Sequence, residues 1–417
     1  MPVRHPFTVA LAGLVLLGAL ILANDVSAQQ ANEVRALWVA RASLTSPATV
    51  EAVVKTAHDY GFNTLLVEVR GHADSYLRDA VEPTGPEDPR SMPIFDALQA
   101  LITCAHANTL RVHAWINVNL VTTATNLPAS RNHIVYRHPE WLMVPRNLAD
   151  QLAKLQPGNP SYLGTLLRWT REHAEIVKGL YLSPLTAGAT AYTAGVLANL
   201  VAKYPVDGVH LDSLYYPDNI FDYSRTAMDE LRADVRPRLS VAARSQLDSS
   251  NQPFDYADHY PERWTAFRRS RLTALLMRLR TVVKTRRPTA VFSAALVPDE
   301  FDARTRRLQD WRTWLDGHLL DVACPIGYTQ DTDIFETQIA TIREIATSSK
   351  VWAGIDAYRL SPSQTINNIQ AARRQRVDGV ALFSYDSLTD PAQHEINYLA
   401  EVSRAAFRLD AVAPESQ

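Results

Sequence analysis

Carboxylates stand within or just beyond several short apolar segments of this chain. They are Glu68 and Asp74, Asp212, Asp299 and Glu300, Asp356, and Asp386. Cleavage of a glycosidic bond needs two such groups flanking the bond, one protonated and one ionised. Aromatic residues accompany them: Trp115, Tyr215, Tyr216, Tyr328, Tyr358 and Tyr385. Flat rings stack on the C–H faces of sugars, and carboxylates accept hydrogen bonds from sugar hydroxyls. The most informative stretch is VDGVHLDSLYYP, Val206 to Pro217. Strand alternation puts Val209 and Leu211 on one face and Gly208, His210 and Asp212 on the other. With aliphatics toward outer helices, Asp212 falls at the C-terminal end of a parallel strand, where barrel enzymes carry their chemistry. The competing reading makes Asp212 a cap or an ion-pair partner.

Other chemistries lack their residues. His72, His113 and His210 have no local metal-ligand spacing, and Cys104 and Cys324 form no zinc pattern. Both cysteines are expected to be buried, unbridged thiols. There is no GxSxG elbow, no P-loop and no GxGxxG turn, so neither cofactor nor metal is expected. A net charge of -2 gives no reason to expect nucleic acid as a partner. At the N-terminus, Arg4 and His5 precede an apolar run from Phe7 to Ala23, followed by Val26-Ser27-Ala28. This predicts a signal peptide over 1–28, cleaved after Ala28, and a periplasmic or extracellular protein with no lasting membrane insertion. An uncleaved anchor is the alternative, since about 20 apolar residues span a bilayer.

The elements that must position these residues alternate. Strands are predicted at Arg35–Ala40, Thr64–Arg70, Arg111–Asn117, the stretch from Val206, Val291–Val297, Asp321–Tyr328, Val351–Tyr358 and Gly379–Tyr385. Helical spacing fills the intervals, including Ile94–Ala107, Trp264–Arg286, Arg306–Asp316, Phe335–Thr347 and Gln364–Arg376. The arginines of Trp264–Arg286 read as a solvated outer face or as a patch for an anionic surface. Residues 118–163 and 213–260 break the rhythm as long, irregular excursions. This alternation predicts an α/β protein, a (β/α)8 TIM barrel over 29–410 with enlarged loops after strands three and four and a frayed tail at 411–417. A doubly wound open sheet is the alternative. VDGVHLDS at Val206–Ser213 and VDGVALFS at Val377–Ser384 echo each other, with Asp-Gly at the entry to a strand.

The chain resembles the glycoside-hydrolase-like family ten barrels, exported bacterial proteins, over roughly residues 33–400. The resemblance rests on RALWVA at Arg35–Ala40, VEVRGHADSYL at Val67–Leu77, VHAWIN at Val112–Asn117, YPVDGVHLDSLYYP at Tyr204–Pro217 and LFSYDSL at Leu382–Leu388. It implies a TIM-barrel glycosidase whose partner is a polysaccharide, a peptidoglycan glycan strand or related amino-sugar polymer. Arg70, Asp74, Asn117, Asp212 and Asp386 fall where the family keeps polar residues. Asp212 is then one catalytic carboxylate, with Asp356, Asp386 or Glu68 as its partner. Glu68, Arg70, Asp74, Trp115, Asn117, His210, Tyr216 and Tyr328 are expected to bind substrate. Two departures stand out: Ser213 occupies a position where the family often has a second acid, and Gly71-His72 follows Arg70 where proline is usual. A non-catalytic glycan-binding barrel is the alternative function.

Overall fold

The computed structural model describes residues 33–74, 82, 95–250, 252–394 and 397–407. The expected signal peptide and frayed tail lie outside these residues. Eight parallel strands close into a barrel in chain order, β1 (Val34–Val39), β2 (Thr64–Arg70), β3 (Arg111–Asn117), β4 (Gly208–Asp212), β5 (Val291–Leu296), β6 (Val322–Gly327), β7 (Lys350–Ile355) and β8 (Gly379–Leu382). β8 pairs with β1 to complete the ring. The (β/α)8 barrel expected from the alternation is therefore the fold.

Alternation along each strand sorts the side chains. Leu37, Val39, Leu65, Val67, Val209 and Leu211 face outward and are buried against the surrounding helices. Ala36, Trp38, Leu66, Trp115, Cys324, Trp352 and Ala381 fill the interior. The helices start where their sequences provide caps. Ser46 and Thr49 form a capping box around Pro47, the first residue of helix Pro47–Asp59, and Ser361 and Gln364 repeat it at helix Pro362–Arg374.

The barrel floor is pinned four times by one device. The residue just before each even-numbered strand accepts, through its side chain, the amide of the second residue of the preceding strand. These bonds run from Arg35 to Asn63 (2.9 Å), Val112 to Asp207 (2.8 Å), Phe292 to Asp321 (2.8 Å) and Val351 to Asp378 (2.9 Å). The backbone N–H of each pinning residue donates back to that same strand, and its carbonyl accepts from the first residue of the next odd-numbered strand. The echo of VDGV at Val206 and Val377 is two turns of this four-part pattern.

The two excursions are more ordered than their composition suggests. Residues 118–163 contain helices Ile134–Arg137 and Arg146–Leu152, helix Pro160–Glu172 follows, and residues 213–260 contain Arg225–Val235, Val241–Ser249 and Asp255–His259. They share a second hydrophobic core that joins Leu142, Leu166 and Leu182 to Met228, Leu231 and Trp264. Asp222 fastens them, accepting from the Val144 amide (2.8 Å) and from Ser224. Elsewhere, the helix expected over Arg306–Asp316 is split into Glu300–Thr305 and Trp311–Asp316, with Leu308 between them in the left-handed region at φ 54°. Cys324 is buried as expected, whereas Cys104 is only half-buried; both are free thiols. In the arginine-rich helix Pro261–Arg286, three cations pair with acids of neighbouring elements, Arg271 with Glu230 (3.5 Å) and Arg280 and Lys284 with Asp321 (3.5 and 2.5 Å).

The floor device predicts a graded result. Asp378→Ala leaves the Val351 amide without an acceptor and lowers unfolding free energy by about 1–3 kcal/mol. Asp378→Asn, the solution used at Asn63, restores most of the loss. Urea denaturation of both variants checks this, and equal loss in the two would count against the device.

Candidate active site

At the C-terminal end of the barrel, one group of candidate residues stands at the ends of β3, β4, β6 and β7. Asp212 closes β4 opposite Asn117 of β3. The Trp115 indole N–H donates to Asp212 Oδ2 (3.3 Å). Ser213 then enters the left-handed region at φ 53°, a conformation uncommon for residues other than glycine. Its hydroxyl donates to Asn117 Oδ1 (2.9 Å). This turn breaks the strand alternation, so Leu214 and Tyr216 enter the core and Tyr215 is left at the mouth. The Tyr215 ring lies 6.2 Å from that of Tyr181. Tyr181 comes from the first excursion, which bridges back to Leu120 just beyond β3.

Asp356 follows β7 directly and is 2% exposed. Its Oδ1 has no hydrogen-bond partner, and its Oδ2 lies 3.4 Å from Arg359 Nε. Burial pushes its pKa up to about 6, against the opposing charges of Arg359 and Lys178. Tyr328, just beyond β6, is 52% exposed, so the mouth is open to solvent there. Its hydroxyl is nonetheless crowded by protein. Burial first, then the charges of Asp212 and Asp356 and the hydroxyls of Tyr215 and Tyr358, raise it well above the ordinary tyrosine range. Asp212, Asp356, Tyr215 and Tyr358 thus all act electrostatically on the Tyr328 hydroxyl.

Glu68, Asp74 and Asp386 form a separate cluster around Arg41. Arg41 grips Asp74 with two nitrogens (2.7 and 2.8 Å), and its backbone N–H donates to Glu68 (3.3 Å). Asp386 accepts from the Ala40 amide (2.7 Å) through one oxygen and from the Ser43 hydroxyl through the other. Burial raises Glu68 above the ordinary carboxylate range, with Arg41 opposing. Burial would also raise Asp74, but its bonds and charge contact with Arg41 carry it below that range. This cluster ties the ends of β1, β2 and β8 together.

Three residues expected to bind substrate are placed elsewhere. His210 is fully buried one layer beneath Asp212, with Nδ1 3.0 Å from the Ser293 hydroxyl. Alternation assigned its face correctly but not its depth, and burial drives its pKa down to about 3. Tyr216 is fully buried outside the strands beside Arg268, whose guanidinium lies 6.0 Å from its ring centre. The turn at Ser213 is the physical reason. Arg70 is 1% exposed and braces the backbone, bonding Glu82 (2.8 and 3.0 Å) and the carbonyls of Asn117 and Val118. Trp115 and Asn117 are also buried and act behind Asp212 rather than beside an open cleft. Sequence reasoning missed Tyr181, Lys178 and Arg41, which lie outside the strands and carry no periodic signal. Among the described residues no cluster of histidine, cysteine and carboxylate could hold a metal, and no helix is long and apolar enough to cross a membrane. An apolar cavity of about 150 Å³ between the excursions is lined by Leu152, Tyr162, Tyr223 and Phe254 and includes neither Asp212 nor Asp356.

A model of the glycosyl hydrolase-like 10 family matches residues 33–372. The chain is 27% identical over 213 residues to the glycosyl hydrolase YngK of Bacillus subtilis (strain 168), covering 46% of this chain and 35% of YngK. The match therefore spans about a third of that relative's length. Among solved structures, the glycoside hydrolase domain of PgaB (BpsB) from Bordetella bronchiseptica aligns with a TM-score of 0.59 at 12% identity, covering 90% of this chain and 99% of that one. The catalytic domain of β-amylase from Paenibacillus polymyxa aligns with a TM-score of 0.62 at 10% identity, covering 90% and 98%. At such identities these likenesses concern the fold alone.

The buried state of Asp356 has a stability signature. An unfolded aspartate titrates near 3.8, the folded one near 6. Between these values the folded chain binds the extra proton, so its stability falls as pH rises from about 4 to 6 and stays lower above. Asp356→Asn removes that penalty. Relative to wild type, it gains roughly 1–3 kcal/mol at pH 7.5 over its value at pH 4. Denaturant titrations at both pH values measure it, and a pH-independent difference would show that Asp356 is not held neutral.

Proposed function

Because the chain belongs to the glycosyl hydrolase-like 10 family, we propose that it hydrolyses O-glycosidic bonds, with Asp356 as the proton donor and Asp212 as the ionised partner. The observation that carries this reading is Asp356 itself. It is a buried carboxyl with one unpartnered oxygen and a pKa near 6, at the mouth that Asp212 shares. A protonated acid beside an ionised one is the division of labour that glycoside cleavage requires. Asp356 gives its proton to the departing oxygen. Asp212, steadied by Trp115, attacks the sugar carbon or activates water. Tyr215, Tyr328 and Tyr358 offer rings and hydroxyls to the sugar.

In this reading Asp386, Glu68 and Asp74 are positioning residues, because Arg41 and the backbone after β1 already occupy them. The substrate is an amino-sugar polysaccharide of the bacterial cell wall, a peptidoglycan glycan strand or a close relative. The protein acts outside the cytoplasm, in keeping with the basic, apolar and small-residue order of its first 28 residues. A non-catalytic glycan-binding barrel is the second reading. Ser213 favours it, since its hydroxyl is already committed to Asn117 where a second acid would otherwise stand.

Peptide-free peptidoglycan strands, with products followed by mass, test the assignment. Asp212→Asn is expected to lower turnover at least about a thousandfold while remaining folded. Asp356→Asn should lose roughly 10²–10⁴-fold. Since Asp356 must hold its proton, wild-type kcat/KM falls as pH rises through about 6, and the residual activity of Asp356→Asn lacks that limb. Near-normal turnover by folded Asp212→Asn would end this assignment.

A further inference from the structure

We propose that Arg359 is a displaceable plug. Its guanidinium stands where a sugar must sit, draws Asp356 toward the ionised form in the free protein, and releases that acid when the glycan docks. This deepens the functional reading above and rests on it for the role of Asp356.

The turn after β7 folds the arginine back over the acid. Residues Ala357–Arg359 form a single 3-10 turn, and the Arg359 amide donates to the Asp356 carbonyl (3.1 Å). The Asp356 side chain does not cap that turn. The backbone of Arg359 is anchored, because Leu360 beyond it is buried and Gln330, from the segment after β6, donates to the Arg359 carbonyl (3.5 Å). The side chain is not anchored. It is 57% exposed, and its guanidinium donates no hydrogen bond among the described residues. Its Nε stands 3.4 Å from Asp356 Oδ2, and its guanidinium carbon lies 5.1 Å from the centre of the Tyr358 ring. One exposed arm thus covers both an oxygen of the buried acid and a face of a half-buried tyrosine. A ring face under a guanidinium is closed to the C–H surface of a sugar. Exposed ion pairs and exposed cation–π contacts are both weak, so a docking glycan can push the arm aside.

Displacement changes the acid. Two cations act on Asp356, Arg359 more strongly and Lys178 less, and both favour loss of the proton that the leaving group needs. From the β6 side the neighbour is Tyr328, a neutral phenol. From the β8 side Asp386 is engaged by Ala40 and Ser43. With Arg359 moved away, Lys178 alone opposes the effect of burial, and Asp356 keeps its proton to higher pH. The glycan therefore arms the proton donor by taking the place of its counter-ion.

Carboxyl-carbon NMR of aspartate-labelled protein tests this without turnover. Asp356 is titrated in wild type, Arg359→Gln and Arg359→Lys, with and without peptide-free peptidoglycan strands, and Asp356→Asn assigns the signal. In wild type the strands are expected to raise the titration by about 0.5–1 pH unit. In Arg359→Gln it starts higher by about the same amount and the strands move it little, while Arg359→Lys behaves as wild type. The falling limbs of kcat/KM, set by the free protein, and of kcat, set by the complex, differ in wild type and converge in Arg359→Gln. An Asp356 titration that is the same in free wild type and free Arg359→Gln overturns the proposal, whatever the turnover. So does an equal response of the two to the strands. The expected NMR pattern in a protein that cleaves no strand upholds the plug and defeats the hydrolase reading. Failure of the strands to bind wild type overturns both.

Discussion

The barrel depends on four side chains at its floor, Asn63, Asp207, Asp321 and Asp378. Each holds an amide of the preceding strand and offers its carbonyl to the strand that follows. A slip of one residue turns every side chain of a strand to the opposite face. In a closed barrel that error would exchange the interior with the helix-facing layer. Fixing the entry to every strand therefore determines which residues reach the open end. Asp212 and Asp356 stand at the mouth because Asp207 and the pair Asp321–Asp378 hold β4 and β7 in register far below them. The Asp378 carbonyl also accepts from the Val34 amide (3.0 Å), so the residue that spaces β7 from β8 also closes the ring onto β1.

Above that floor, environment rather than residue type separates the acids. Asp356 and Asp386 both follow a strand, yet their surroundings differ. Both oxygens of Asp386 accept hydrogen bonds, one from the Ala40 amide and one from the Ser43 hydroxyl. Asp356 keeps an unpartnered buried oxygen, and desolvation favours its neutral form. The one is built as a clasp and the other as a proton holder. Arg41 makes a similar division at β2, where it binds Asp74 firmly and Glu68 weakly.

Much of this was legible in the sequence because strands have a period of two. The limits of β2 and β3 follow the runs TLLVEVR and RVHAWIN without adjustment, and Asp212 stands at the strand end that alternation assigned to it. The misplacements are those that alternation cannot resolve. His210 has the right face at the wrong depth, since period alone does not tell a mouth residue from one a layer below. Alternation gives no means of telling Tyr215 from Tyr216, because nothing in the sequence marks Ser213 as left-handed. Lys178 and Tyr181 sit in an excursion whose order comes from contacts with residues far along the chain, including the shared core with Met228 and Trp264. Local pattern carries no trace of such contacts. The apparent disorder of 118–163 had the same origin: its helices are short, and most of their stability comes from packing rather than from propensity.

Ser213 concentrates the remaining question of mechanism. Aspartate and asparagine are enriched in the left-handed region, so the backbone at 213 would accept an acid there. The serine is a chemical change and not a conformational necessity. With Ser213, the hydroxyl donates to Asn117 Oδ1 and the turn is neutral. With an aspartate, two acceptors would meet unless the Asn117 amide reversed, and a second charge would stand beside Asp212. Like charges at that distance raise the pKa of one of them, which is one way to make a proton donor. This chain lacks that route. On the proposed reading the donor is made instead by desolvation on another strand, at Asp356, whose burial raises its pKa.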